Sequence, residues 1–318
     1  MKTIIYKPFI YCLLFLAAFL LPVACDDWNE PETVDLDINS AKEQNPELWV
    51  RYMQTLRTYK QSEHYLSYAH FDNSPEKPVN EGSYLRSLPD SLDIVTLGNS
   101  RQISDYDRED ILLLQEKSIR VLYLIDYAAH ASSLTDIAAL NNWLDKEIAT
   151  AAGFNLDGFA FTGLPMYSGT EDELALYKEK SRLIVSKLSA AAGQDKLLVL
   201  EGDPVFIDET DFDKLSYIVL NTAGVTNVTD LKLQVMGILA NTGSFFPKDK
   251  LLLSAQVGVQ VIDEAGIKQE AVTLMTDRVV ALGPLGGLGI YAIGNDYYSP
   301  TMNYEITRTA IQLMNPSK

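Results

Sequence analysis

The sequence from Phe154 to Leu164 reads FNLDGFAFTGL, and this stretch decides the fold class. Its centre, Gly158–Phe161, is a short apolar run that predicts a β-strand. A second run, Leu197–Leu200, is apolar at four consecutive positions. Such runs are typical of a parallel sheet that is covered on both faces. The chain is therefore expected to be an α/β protein.

Strands of this kind alternate with stretches of helical period from about residue 60 onward, and no Ser/Gly-rich linker interrupts them. The predicted strands are Tyr65–Phe71, Leu92–Leu97, Val121–Ile125, Gly158–Phe161, Leu197–Leu200, Tyr217–Leu220, Leu251–Ala255 and Leu288–Ile293. Eight β/α units in about 250 residues predict a single (β/α)8 TIM barrel over residues 46–318. An open doubly wound sheet is the alternative fold.

Three helices carry their own sequence signals. Thr170 and Glu173 form a capping box ahead of a helix that Gly193 should end. A second helix has an apolar face from Ile137 to Ile148. A third, Pro46–Gln61, precedes the first strand and is expected to close the bottom of the barrel.

The loops that follow the strands should build the functional site, because these loops form the mouth of a TIM barrel. They are rich in amides, carboxylates and aromatic rings, the mixture that pairs with sugar hydroxyls and covers sugar faces. The residues nominated for substrate binding are Tyr127, Phe161, Thr162, Glu201, Asn221, Gln256 and Tyr297.

The stretch around the fourth strand resembles the signature of glycoside hydrolase family 18, which contains chitinases and endo-β-N-acetylglucosaminidases and has the pattern D-G-x-D-x-D-x-E. Asp157 and Gly158 match its opening. Ala160, Thr162 and Leu164 stand where the family has Asp, Asp and Glu. Similarity to the family extends over roughly residues 45–315, although the fourth strand is its only specific motif.

The resemblance implies that the ordinary reaction is lost, so no catalytic residue is nominated. In the family, the final Glu protonates the leaving oxygen and the preceding Asp orients the 2-acetamido group of the sugar. Leu164 has no proton to give, and Thr162 cannot oppose a developing positive charge. Asp157, at the entry of the strand, is expected to hold structure rather than substrate.

The first 45 residues carry a targeting signal. Lys2, Lys7 and a short apolar run ending at Leu21 predict a signal peptide over residues 1–24. The Ala24-Cys25 junction resembles a bacterial lipobox, which implies lipidation of Cys25 and attachment to a membrane without a spanning helix. The segment Asp26–Glu32 resembles the acidic tract of Bacteroidetes lipoproteins, which implies a place on the outer membrane facing the cell exterior. Residues 25–45 as a whole are acidic and poor in apolar side chains, and this composition predicts a solvated tether.

Charge and composition exclude other classes of function. The chain has 26 Lys and Arg against 43 Asp and Glu, a net charge of −17, and such a surface repels nucleic acid. Two cysteines and three histidines without paired spacing predict no zinc site, and no cofactor is expected.

The leading hypothesis is a surface lipoprotein, not an enzyme, that binds N-glycan or chitin-like chains containing N-acetylglucosamine and passes them to enzymes and an outer-membrane uptake protein. The second is an active endo-β-N-acetylglucosaminidase in which a relocated carboxylate such as Glu201 supplies the proton; Asp126, Asp203 and Asp296 are further candidates. The third is an interaction protein whose barrel only packs against partner subunits.

Overall fold

The computed structural model describes residues 41–74 and 78–316. The signal peptide, Cys25 and all but the last five residues of the tether lie outside this part, so those predictions remain open. The compact unit that contains the barrel begins at Arg51. In the described part, no helix is both long enough and apolar enough to cross a membrane.

Within residues 41–74 and 78–316, eight parallel strands close into a barrel, which confirms the predicted (β/α)8 fold. The barrel strands are β1 (Leu66–Phe71), β2 (Ile94–Leu97), β3 (Arg120–Ile125), β4 (Gly158–Thr162), β5 (Leu197–Glu201), β6 (Tyr217–Val219), β7 (Leu251–Gln256) and, after a hairpin of β8 (Gln260–Ile262) and β9 (Lys268–Glu270), β10 (Gly287–Tyr291). β10 pairs with β1 and closes the barrel. Because β5 lies four strands from β1 in either direction, the two face each other across the barrel.

The three predicted helical segments are all present. The helices of the described residues are α1 (Ala41–Gln44), α2 (Pro46–Gln61), α3 (Asp105–Glu116), α4 (Tyr127–His130), α5 (Ile137–Ala151), α6 (Glu171–Ala192), α7 (Val228–Thr242), α8 (Ala271–Ala281) and α9 (Glu305–Met314). Those from α3 onward surround the barrel. α6 begins at the predicted capping box, in which the Thr170 hydroxyl accepts from the Glu173 N–H. In the last turn of α2, Lys60 Nζ lies 3.6 Å from Asp93 Oδ1, just before β2, so this end of the helix packs at the amino end of the barrel.

Side chains alternate between two apolar layers along each strand. The inner layer fills the barrel with Tyr68, Ile94, Leu122, Leu124, Ala160, Val199, Val219 and Leu252. The outer layer joins the strands to the helices and includes Phe161, Leu200, Leu140 and Ile184. The barrel is therefore a packed core and not an open pore.

The β8–β9 hairpin was not predicted. Its strands have three residues each and are mostly polar, so they show no strand periodicity. Val261 is fully buried and anchors the hairpin, and a bridge from Ile262 to Asn227 ties it to the loop after β6. This tertiary contact stabilises strands whose local sequence signal is weak.

Candidate functional site

A buried carboxylate lies inside the carboxyl end of the barrel. Glu201, the last residue of β5, extends across the barrel toward β1 and β10. Its Oε1 accepts a hydrogen bond from Tyr68 Oη at 2.5 Å, and its Oε2 accepts from Tyr291 Oη at 2.8 Å and from His70 Nδ1 at 2.9 Å. Thr96 on β2 also bonds to the Tyr68 hydroxyl. Side chains of β1 and β10 thus converge on one carboxylate of β5, and β2 joins them through Thr96.

These contacts keep Glu201 ionised. Burial alone would raise its pKa, but the hydrogen bond and charge of His70, with the two tyrosine hydroxyls, hold the pKa below the ordinary value. Burial lowers the pKa of His70, but its hydrogen bond and charge interaction with Glu201 outweigh that effect and raise the pKa overall. Burial and the same carboxylate raise the pKa values of Tyr68 and Tyr291 well above normal. Glu201 is therefore ionised at neutral pH, and its carboxylate favours the protonated form of His70.

The later positions of the family motif follow one another along β4 toward the mouth of the barrel. Ala160 is fully buried in the inner layer. Thr162 lies at the rim, where its hydroxyl donates to Asp126 Oδ1 at 2.7 Å and accepts from the Ala128 N–H at 2.9 Å. Leu164, beyond the strand, is 53% exposed. The three positions therefore present a methyl group inside the barrel, a hydrogen-bonded hydroxyl at its rim and an exposed aliphatic chain beyond the strand.

Asp157 lies at the other end of β4. Its carboxylate accepts hydrogen bonds from the Val121 N–H and from Gln115 Nε2, each at 2.9 Å. These contacts fasten the amino end of β4 to β3 and α3. The residue is remote from the mouth and has a structural role.

Two of the nominated binding residues do not face the mouth, which corrects their prediction. Phe161 is fully buried in the outer layer, because it alternates with Ala160 and Thr162 and so points toward the helices. Tyr127 is only 5% exposed and packs against Phe206, with ring centroids 5.7 Å apart. Both rings stabilise the layer between sheet and helices.

The other nominated residues lie at the carboxyl end but differ in exposure. Asn221 and Gln256 follow or end β6 and β7, and both are exposed. Tyr297 is half-buried, with its ring centroid 5.4 Å from that of Tyr304. Glu201 is beneath the surface, with its oxygens already engaged by protein donors. Direct contact with a ligand is therefore available to Asn221 and Gln256 but not to Glu201.

Two further groups at this end, one exposed and one largely buried, were missed by sequence reasoning. Tyr167, in the loop after β4, is 73% exposed and donates to Asp203 Oδ2 at 2.6 Å. That hydrogen bond raises the pKa of Tyr167 to about 12. His70 was overlooked as well, although it alternates with Tyr68 on the inward side of β1. That alternation was the available signal.

No cluster of three or more His, Cys, Asp or Glu side chains suited to a metal ion occurs in the described residues.

Several solved structures share this fold. The protein BT1044, in a form with a Glu-to-Gln substitution, aligns with a TM-score of 0.69 at 18% identity, over 87% of this chain and 96% of that one. Endo-β-N-acetylglucosaminidase from Cordyceps militaris aligns with a TM-score of 0.61 at 18% identity, over 84% and 96% of the two chains. A doubly substituted variant of that enzyme, in complex with fucosyl-N-acetylglucosamine-Asn, gives 0.59 at 17% identity, over 83% and 95%.

The comparison with curated protein sequences finds no significant match. The sequence profile described as glycoside hydrolase family 18, BT1044-like, matches residues 29–138 and 126–313, which together span most of the chain. The barrel, its degenerate fourth strand and this match lead to one assignment: the chain belongs to the BT1044-like group of glycoside hydrolase family 18.

Proposed function

We propose that this protein binds glycans containing N-acetylglucosamine without hydrolysing them. The observation that carries the proposal is Leu164, an exposed aliphatic side chain where the family motif has its proton donor. A positioned general acid accelerates such reactions by about 10²- to 10⁴-fold, and an alkyl group supplies none of this.

Glu201 does not replace the missing acid. A general acid must hold a proton near neutral pH and reach the leaving oxygen. Glu201 is ionised, and its oxygens accept hydrogen bonds from Tyr68, His70 and Tyr291. These features disfavour the alternative of an active endo-glycosidase that depends on Glu201.

The mouth retains groups suited to sugar binding. Tyr167 offers an exposed ring face, and its hydroxyl is fixed by Asp203. Aromatic faces cover the apolar side of pyranose rings, while amides such as Asn221 and Gln256 pair with hydroxyl groups. The structural neighbour in complex with fucosyl-N-acetylglucosamine-Asn suggests the class of ligand.

We further propose that Cys25 is lipidated and that the acidic tether holds the barrel away from the outer membrane, facing the exterior. In this setting the protein would capture N-glycan or chitin-like chains for enzymes and a glycan-uptake protein. Metabolic labelling with a fatty acid analogue, compared between the native chain and Cys25→Ala, tests the anchor.

The test of the main proposal measures binding and cleavage on the same protein. Titration calorimetry with chitotetraose and free N-glycans should detect binding, while chromatography of the incubated sugars should detect no product. Tyr167→Ala should weaken binding by about 3- to 10-fold, because it removes the ring that stacks on the sugar. Tyr167→Phe is the matched control, which keeps the ring and should bind nearly as the native protein does.

Release of trimmed glycan by the native protein would overturn the non-enzymatic proposal. Cleavage that is abolished by Glu201→Gln would restore the relocated-acid alternative. Absence of binding to every glycan tested would favour a barrel that only packs against partner proteins.

A further inference from the structure

The outward face of α7 is apolar, although it is exposed. Leu233 and Met236 are 66% and 55% exposed. Gly237 and Ala240, also exposed, continue the same face at helical spacing. From Leu233 to Pro247 the sequence has no charged side chain, whereas 22% of the whole chain is charged. The outward face of a surface helix normally carries charged and polar side chains, so this face differs from that of an ordinary exposed helix.

Gly237 lies in the middle of α7 without a contact in its own chain that requires a glycine. Among the described residues, no atom outside its own helix lies within 4 Å of the place where a Cβ would stand. An exposed glycine inside a helix costs about 0.5–1 kcal/mol relative to alanine. The absence of a side chain does, however, allow a second backbone to approach closely. The position therefore fits a contact with another helix.

The sizes of the exposed side chains are complementary to those of a second α7 that runs in the opposite direction. The large side chains of Leu233 and Met236 lie on the amino side of Gly237, and the smaller ones of Ala240 and Asn241 lie on its carboxyl side. Leu233 and Asn241 are each about 6 Å from Gly237 along the helix axis. Two antiparallel helices that cross at Gly237 therefore bring the large half of each against the small half of the other.

The charged side chains of α7 favour the same direction. They are Asp230 and Lys232, and both lie near its amino end. In an antiparallel pair that crosses at Gly237, the two Asp230 residues are about 20 Å apart, which is beyond the reach of their repulsion at physiological salt. In a parallel pair they would lie side by side and repel each other. Each copy has a net charge of −17, so self-association requires a contact surface that is poor in acids.

We propose that α7 is the contact between two copies of this chain, related by a two-fold axis that passes near Gly237. Such an interface is isologous, so the same patch of each copy meets its equivalent. A single pair of crossed helices buries less than the roughly 800 Å² per partner of a standard interface, so the dimer is weak, with a Kd on the order of 10–100 µM. The lipid anchor proposed for Cys25 would confine the copies to one membrane and raise their effective concentration.

The test measures self-association of the chain from residue 25 onward with Cys25→Ala, which is the proposed mature protein without its lipid. Sedimentation equilibrium between about 5 and 500 µM should show a reversible equilibrium of monomer and dimer. Leu233→Glu should weaken the dimer by about 10-fold or more, because it buries an unpaired carboxylate. Leu112→Glu is the matched control: Leu112 on α3 is 62% exposed, and its replacement should leave the equilibrium unchanged. Gly237→Ala should weaken the dimer by about 3- to 10-fold although it favours the helix of the monomer.

Cysteine cross-linking tests the direction of the helices. In the same background, a mixture of Leu233→Cys and Asn241→Cys should form a disulfide-linked dimer under mild oxidation, and neither variant should link to itself. Circular dichroism should show the native fold for each variant, because the substituted positions are exposed. A native chain that is monomeric at every concentration, a dimer that Leu233→Glu leaves unchanged, or Leu233→Cys that links to itself would overturn the inference. None of these outcomes bears on the glycan-binding proposal.

Discussion

At the scale of single residues, the most consequential side chain is Glu201. Its carboxylate is desolvated and depends on donors from β1 and β10, and those donors in turn depend on it. Removing one partner of a buried charged pair commonly costs about 3–5 kcal/mol, because the remaining partners lose their compensation. Glu201 thus holds the carboxyl end of the barrel together.

Replacing Glu201 by Ala should therefore lower the free energy of unfolding by about 3–5 kcal/mol, because Tyr68, His70 and Tyr291 would face a cavity. Glu201→Gln should cost less, since an amide oxygen still accepts hydrogen bonds. Urea denaturation followed by circular dichroism measures both values. Equal stability of Glu201→Ala and the native protein would show that the carboxylate is dispensable.

The pair of Glu201 and His70 also predicts a pH dependence. The pKa of Glu201 is lowered on folding, so its contribution is complete above about pH 4.5 and is lost as the pH falls. The pKa of His70 is raised, so its contribution is complete below about pH 6.5 and is lost as the pH rises through the raised value. The stability difference between the native protein and Glu201→Gln should be largest between these two values. Denaturation curves across the range test this, and a flat difference would contradict it.

At the scale of elements, local capping decides where helices begin. The capping box of Thr170 and Glu173 starts α6, the 22-residue helix that packs on β4 and β5. Both side chains are exposed, so tertiary contacts do not replace them. The loop carrying Tyr167 ends at this cap, which links the helix start to the proposed sugar-binding surface.

Thr170→Ala should lower the free energy of unfolding by about 1 kcal/mol, because the N–H of Glu173 loses its acceptor. Thr150→Ala, at an exposed position inside α5, is the control and should change stability by less than about 0.5 kcal/mol. Chemical denaturation of both variants is the measurement. Equal effects would show that the cap contributes nothing specific.

At the scale of the whole molecule, closure of the barrel depends on a glycine. Gly287 has φ +156°, and a Cβ there would lie 2.0 Å from the carbonyl oxygen of Leu66, the residue it pairs with in β1. A side chain at this position would force β1 and β10 apart at the seam of the barrel. Without the pairing of β1 with β10, the Glu201 carboxylate could not accept hydrogen bonds from both Tyr68 and Tyr291.

Gly287→Ala should therefore destabilise the protein by more than about 3 kcal/mol or prevent folding, since strain and lost pairing add together. Gly237→Ala is the matched control: it lies in the middle of α7 with open space where a Cβ would stand. This variant should be more stable than the native protein by about 0.5–1 kcal/mol. Thermal unfolding of the two variants distinguishes steric exclusion at the seam from a general effect of alanine.

The local sequence determined the barrel strands, the ends of α6 and the loss of the motif acids. Apolar runs, capping residues and motif positions can each be recognised from a few neighbouring residues. The tertiary structure decided which polar side chains meet. Glu201 is 133 residues from Tyr68 and 90 from Tyr291, and alternation along a strand gives the face of a side chain but not its partner across the barrel. Alternation could have placed Phe161 in the outer layer, but only closure of the barrel brought His70 beside Glu201.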